Sequence, residues 1–303
     1  MTVATKGFQG EISWVAESAY GDGVATGSTL LLLANCVQNV KLGHNKALNE
    51  SRCINTYDVK KIVTGTNMYS LSTEYAADRN YSTSTLLYKA LTRTSGVLGS
   101  VAFQVGVGVN QTTSTYFNMK GCKAKNVTIS TDEDAPVMVT IDWSVKDVAT
   151  STAVTVACTD TITTATRKFT GGAFKRGTSA TWGYIVGAVS VTIDNGLYEA
   201  KDIGNTTLIA AEAGPRALSG TANVCLTDGG ATYWAESTGV TSTSIELDFG
   251  TTSNDPSIRF ASAVIGSIEI PLDSDSAIVM TTIPFTGATA SATTEGVIYE
   301  AAA

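Results

Sequence analysis

Charge, histidine, proline and long apolar runs are all scarce in this chain. Only 16% of its 303 residues are charged, against about 25% in an ordinary soluble domain. Histidine occurs once and proline five times. A single histidine excludes a His-rich metal site. Any hydrolase of the Ser–His or Cys–His kind would depend on His44, in the stretch Leu42–Asn45, which reads as a surface turn with no partner to orient the ring. The longest fully apolar run, Leu30–Ala34, is too short for a helix to span a membrane. Met1–Lys6 lacks the apolar stretch of a signal peptide, so no secretory route is expected. Acidic residues outnumber basic ones 27 to 20, for a net charge of −7, which argues against non-specific DNA binding. Cys36, Cys53, Cys122, Cys158 and Cys225 are odd in number, widely spread and without a CxxC pair. They read as small core residues of a reducing cytoplasm, not as a disulfide or zinc framework.

What replaces charge is uncharged polarity. The chain holds 46 threonines and 28 glycines, and 43% of it is apolar. It can therefore fill a core and is not disordered. β-Branched side chains fit a pleated surface, so this composition favours strands. The one convincing helix is Ser84–Thr92, with Leu87, Tyr88 and Leu91 at helical spacing.

The chain reads as two related units. Residues 1–150 carry 13 basic and 12 acidic side chains, residues 151–303 carry 7 and 15. Phe117–Ile129 is matched 141 residues later by Ile258–Ile270. Without a gap, Asp132–Asp134 then aligns with Asp273–Asp275, and Val137–Val139 with Ile278–Met280. Each copy reads as strand, acidic turn, strand, with the two-residue apolar period of a half-buried hairpin. Upstream, Met68–Tyr75 pairs loosely with Ala217–Val224, Ser84–Thr92 with Ala231–Ser237, and Val37–Asn45 with Val189–Gly196. Turn signals recur, as at Asn195-Gly196 and Asp228-Gly229. The expected architecture is mainly β: a first domain over 1–150, a second over 151–288 with an inserted strand and loop at 151–183, and a flexible tail over 289–303. Each domain is a β-sandwich or barrel with one short flanking helix.

Few residues suggest chemistry. The acidic turns Asp132–Asp134 and Asp273–Asp275 lack the longer oxygen-rich pattern of a calcium loop and read as hairpin turns. Gly172–Thr178 has the flavour of a phosphate loop but lacks the lysine before its threonine. Arg167, Lys168, Lys175 and Arg176 form a basic cluster on a Gly-rich loop, either solvated or docked on an acidic neighbour. Trp14, Trp143, Trp182 and Trp234 suit a core or an interface, and the sequons at Asn80, Asn110, Asn126 and Asn205 carry no weight without secretion. No catalytic constellation, cofactor site or metal site emerges.

The order of these motifs resembles the tail tube (major tail) proteins of tailed phages. Ile12–Gly21, with Glu17, Tyr20 and Gly21, is similar to that family's opening "Y-x-x-E-x-x-Y-G". Gly121–Ser130, the acidic turn, Val137–Trp143 and Lys146–Val148 resemble its closing hairpin, and Ser219–Val224 with Ile268–Phe285 resemble the same parts again. The resemblance implies a virion structural protein without enzymatic activity, assembled in the host cytoplasm. Its sheets would join into a continuous inner barrel, and stacked rings would form a hollow conduit for genome ejection. A duplicated fold implies a trimeric ring with pseudo-sixfold symmetry. Implied partners are other copies of the chain, the tape-measure protein and the tail-terminator or tip proteins, with DNA only in passage. Candidate inter-ring contacts are Gly171–Gly177, the N-terminal segment and Asn45–Lys60. Candidate lumen-facing residues are Thr128, Ser130, Glu269 and Thr281. A tandem β-sandwich adhesin or carbohydrate-binding module, and the tube protein of a contractile injection system, are the alternatives.

Overall fold

Alternation of threonine, serine and charged residues with valine, isoleucine and leucine builds nearly every element of this chain. The computed structural model describes residues 10–25, 27–33, 37–51, 61–77, 85–108, 114–132, 135–158, 173–176, 180–181, 184–201, 207–225, 231–239, 242–248, 256–270, 280–288 and 297–301. The first half runs through β1 (Glu11–Ala16), β2 (Leu31–Leu32), β3 (Val37–Ser51), β4 (Lys61–Ala76), α1 (Leu86–Leu91), β5 (Arg93–Thr94), β6 (Val97–Leu98), β7 (Val101–Val107), β8 (Thr115–Thr131), β9 (Met138–Val145) and β10 (Asp147–Ser151). The second half continues with β11 (Ala173–Arg176), β12 (Ala180–Thr181), β13 (Tyr184–Asp194), β14 (Leu197–Lys201), β15 (Leu208–Ala213), β16 (Ala217–Cys225), α2 (Ala231–Thr238), β17 (Thr243–Asp248), β18 (Pro256–Ile265), β19 (Met280–Ala288) and β20 (Val297–Ala301). The fold is mainly β, and both expected helices are present. Thr85 caps α1 by accepting the Tyr88 amide on its hydroxyl at 3.2 Å, and the helix buries Leu86, Leu87, Ala90 and Leu91.

One 16-stranded sheet carries both halves. Its main surface has the order β3-β4-β9-β8-β13-β16-β19-β18, with every neighbouring pair antiparallel. The two halves are thus not separate sheets: β8 of the first lies directly against β13 of the second, from Asn126↔Asp194 to Thr131↔Val189. The sheet does not close into a barrel among the described residues, because β3 pairs with β4 alone. Of the stretch 289–303, Val297–Ala301 forms β20, antiparallel on the edge of β18, with Val297, Ile298 and Tyr299 opposite Phe260, Arg259 and Ile258; the rest lies outside the described residues.

β8 is long enough to serve two layers. Its first part pairs with β7 and β10, and its second part with β9 and β13. Between them the ladder is interrupted twice, near Val101/Phe103 and near Ala124/Asn126. Such bulges bend a strand and let it leave one sheet for another. Trp14, Phe103, Met119, Val127, Ile141 and Trp143 fill the space inside the bend, with Phe103 edge-on to Trp143 at 5.1 Å between ring centres. The same core continues through Val191, Ile193, Ala222, Val224, Ile283 and Phe285, so both halves share one apolar interior.

Candidate assembly surface

The bend in β8 is held by residues from the opening motif. The Glu17 carboxylate accepts backbone N–H groups from Gly23 at 2.9 Å, Gly21 at 3.2 Å and, across the chain, Gly121 at 2.9 Å. Gly121 has φ of +62°, and a Cβ there would come within 2.6 Å of Lys146 Cβ. Only glycine suits both constraints. Tyr20 lies under two ammonium groups, Lys146 Nζ at 4.7 Å and Lys123 Nζ at 5.0 Å from its ring centre. Burial is the main reason that its hydroxyl titrates above the ordinary tyrosine range. Burial likewise raises the thiol of fully buried Cys122, with a smaller contribution from Glu17. The motif residues therefore hold a corner of the backbone.

A second cluster staples the two halves beside that corner. Asn195, fully buried, donates its backbone N–H to Lys125 O at 2.8 Å and its amide Nδ2 to Ala90 O and Ala124 O at 3.1 and 3.0 Å. Its Oδ1 accepts from Arg216 Nε at 3.0 Å, and Arg216 also donates to Leu91 O. Arg93 donates to Gly214 O and Asn195 O at 2.9 Å each. Lys123 Nζ donates to Ala211 O at 2.6 Å, and Ser144 Oγ donates to Glu199. All of these bonds except Arg216 to Asn195 Oδ1 join residues on opposite sides of the 150 boundary. Asn195-Gly196 reads as an ordinary turn in the sequence, and Gly196 does have φ of +57°. Nothing local marks Asn195, Arg93 and Arg216 as partners, because they meet only when β13 is laid against β8.

The other face of the main sheet is polar across both halves. Thr128 and Ser130 on β8 point away from the core, as Val127 and Ile129 point into it. They continue into Thr140 and Asp142 on β9, Ser72 and Glu74 on β4, and Ser190 and Thr192 on β13. Beyond these come Ser219 and Thr221 on β16 and Thr282 and Thr286 on β19. Glu269 is exposed while Ile268 beside it is buried, so its side chain is turned out of the core. Thr281 is a correction. It is only 5% exposed and donates to Glu269 O at 2.6 Å, on the packed side with Ile283 and Phe285. The gapless alignment through the acidic turns misplaces it by one residue. A strand has a period of two, so a one-residue slip exchanges the faces, and Thr282 is the residue that reaches the polar side.

Other sequence expectations fall as follows. Arg167 and Lys168 lie outside the described residues. Lys175 and Arg176 belong to β11, opposite Glu246 and Ile245 of β17, so that part of the Gly-rich loop is a strand. His44 is not in a turn: β3 runs on to Ser51, and the exposed ring stacks on Tyr69 at 5.0 Å with Nε2 3.2 Å from Asn67 Oδ1. Of the Asn45–Lys60 segment, residues 45–51 are strand and 52–60 lie outside the described residues, as does the N-terminal segment up to residue 9. Trp14 and Trp143 are core residues and Trp234 is exposed on α2. Cys122, Cys158 and Cys225 form no disulfide among the described residues, and the Cys158 thiol donates to Leu30 O at 3.2 Å.

What the arrangement offers is a continuous polar sheet face, a stapled internal strand junction and open strand edges. A comparison with curated proteins finds no match. A family model described as "Phage tail tube protein" matches residues 7–287, nearly the whole chain. That span takes in the Glu17 corner, the β8·β13 junction and the polar face, and the family is one of tail structural proteins and not of enzymes. On this match, the chain belongs to the phage tail tube protein family and is a structural component of the virion tail.

Proposed function

We propose that the chain polymerises into stacked rings that form the tail tube, the conduit for genome ejection. In this reading each chain is a tandem copy of one tail-tube fold, and three chains make a pseudo-sixfold ring. The polar sheet face lines the channel, through which DNA and the tape-measure protein pass; terminator and tip proteins cap the ends. Assembly takes place in the host cytoplasm.

The observation that carries this reading is the coincidence of strand pairings. The first-half pairs β1·β2, β1·β7, β7·β8, β8·β9, β8·β10, β4·β9 and β3·β4 have second-half counterparts β11·β12, β11·β17, β17·β18, β18·β19, β18·β20, β16·β19 and β13·β16. The registers coincide too: Phe103↔Met119 answers to Ile245↔Phe260, Ala124↔Trp143 to Ile265↔Phe285, and Val40↔Thr73 to Val189↔Ala222. Chance would not reproduce both order and register. Two such units joined edge to edge within one chain offer the contact that, repeated between chains, closes a ring. A face of threonine and serine suits a passage for DNA, since clustered Lys and Arg would hold the phosphates.

Three-dimensional reconstruction of the assembled protein tests the reading. Rings of three chains stacked into a hollow tube are expected. Six chains per ring would overturn the duplication argument, and a chain that stays monomeric at high concentration, with virion partners present, would overturn the tube itself.

A further inference from the structure

We propose that one chain joins the next head to tail by adding Leu42–Asn45 of β3, antiparallel, to the segment Ser267–Ile270 of a second copy. This rests on the tube reading above and specifies the surface and register by which copies would meet.

The internal junction supplies the template. There, Val191 lies opposite Ile129, Thr192 opposite Thr128, Ile193 opposite Val127 and Asp194 opposite Asn126. The coincident registers convert these residues. Val189 and Val40 hold the same place beside β16 and β4, so Val191 corresponds to Leu42 and Ile193 to His44. Ala124 and Ile265 hold the same place beside β9 and β19, so Val127 corresponds to Ile268 and Ile129 to Ile270. The second junction therefore sets Leu42 against Ile270, Gly43 against Glu269, His44 against Ile268 and Asn45 against Ser267.

Both partners carry the marks of unfinished edges. Among the described residues β3 has a ladder with β4 alone, whereas its counterpart β13 is paired on both sides. Leu42 is 37% exposed where Val191 is fully buried. Among the described residues Gly266–Ile270 has no ladder on either side, although Gly266 N–H donates to Pro284 O at 2.8 Å and Thr281 donates to Glu269 O. It runs beside β19 as the end of β8 runs beside β9, and no described strand pairs with its other edge. An exposed apolar edge strand is a template for another chain.

Charge favours a second copy as the occupant. Lys41 on β3 is exposed, and in this register it sits diagonal to exposed Glu269, both on the polar face. Diagonal neighbours on adjacent strands are about 7–8 Å apart, within reach of long side chains. At the internal junction the corresponding residues are the neutral Ser190 and Thr128.

The test mixes two single variants, Leu42→Cys and Ile270→Cys, during assembly, followed by mild oxidation. The expected product is a one-to-one covalent dimer that neither variant forms alone, and a ladder of higher species from the double variant. The oxidised wild type controls for the native cysteines. Electron microscopy of the same samples separates the outcomes. Rings or tubes without the cross-link would overturn this junction and leave the tube reading standing. A cross-link within one chain of the double variant would show the sheet closing on itself, and would also overturn it. Chains that never assemble would overturn both. On the wild type, amides in 42–45 and 267–270 should exchange more slowly after assembly. Lys41→Glu should raise the concentration for half-assembly by up to about fivefold, and the exchange Lys41→Glu with Glu269→Lys should restore it.

Discussion

Two strand edges of this molecule occupy corresponding places in the sheet and differ in their company. The edge of β13 is covered by β8, and Val191 and Ile193 on it are fully buried. The edge of β3 carries Leu42 and His44 at the matching positions, and both are exposed. Around the first edge the chain has gathered a buried amide, two guanidinium groups and a lysine, each bonded to a backbone carbonyl across the junction. Around the second, none of those bonds is reproduced among the described residues: Lys46 stands where Asn195 would, and Asn67 where Arg216 would. The comparison teaches that a permanent junction within one chain can be built on buried polar bonds. A junction that must form between finished chains is better served by apolar and charged side chains that tolerate water beforehand.

This contrast can be broken most severely at the covered edge. Val191→Asp should prevent folding, because a carboxylate would be placed in a dry interior without a partner; the soluble yield and far-ultraviolet circular dichroism would show it. Leu42→Asp, at the corresponding open edge, should leave a folded monomer and abolish assembly, as seen by electron microscopy and sedimentation. Asn195→Ala should cost about 2–3 kcal/mol in urea unfolding, since it orphans two buried carbonyls and part of Arg216. Glu17→Gln should cost less, about 1–2 kcal/mol, because an amide oxygen can still accept some of the three backbone N–H groups. Smallest is Lys46→Asn, which imports the internal junction's side chain to the open edge. It should leave monomer stability within about 0.5 kcal/mol by denaturant titration.

Much of this was legible in the residues. The alternation of Val127 and Ile129 with Thr128 and Ser130 fixes which way β8 faces, because successive strand side chains point to opposite sides. Leu87 and Leu91 mark α1 for the same kind of reason at the helical period. Glu17, Tyr20, Gly21 and Gly121 stood out by their resemblance to a family pattern, and they turned out to hold one corner. The limits are equally specific. Thr281 falls on the packed side because the second half gains one residue between Ile265 and Phe285, relative to Ala124 and Trp143, which a gapless alignment does not register. Gly43 and Asn45 beside His44 signal a turn, yet pairing with Tyr69 on β4 keeps the segment extended. Asn195 looked like any Asn-Gly turn until Ala90, Ala124 and Arg216 closed around it.

By itself, then, the sequence determined that the chain is mainly β and that it carries a single histidine. Those properties follow from local period and composition, which each stretch of chain carries with it. Only the tertiary structure decided that the halves share one sheet, that β8 turns a corner to reach β13, and that β3 and Ser267–Ile270 are open edges among the described residues. Such facts depend on which strand lies beside which across more than a hundred residues, and backbone hydrogen bonds between strands are made by groups that every residue except proline possesses alike.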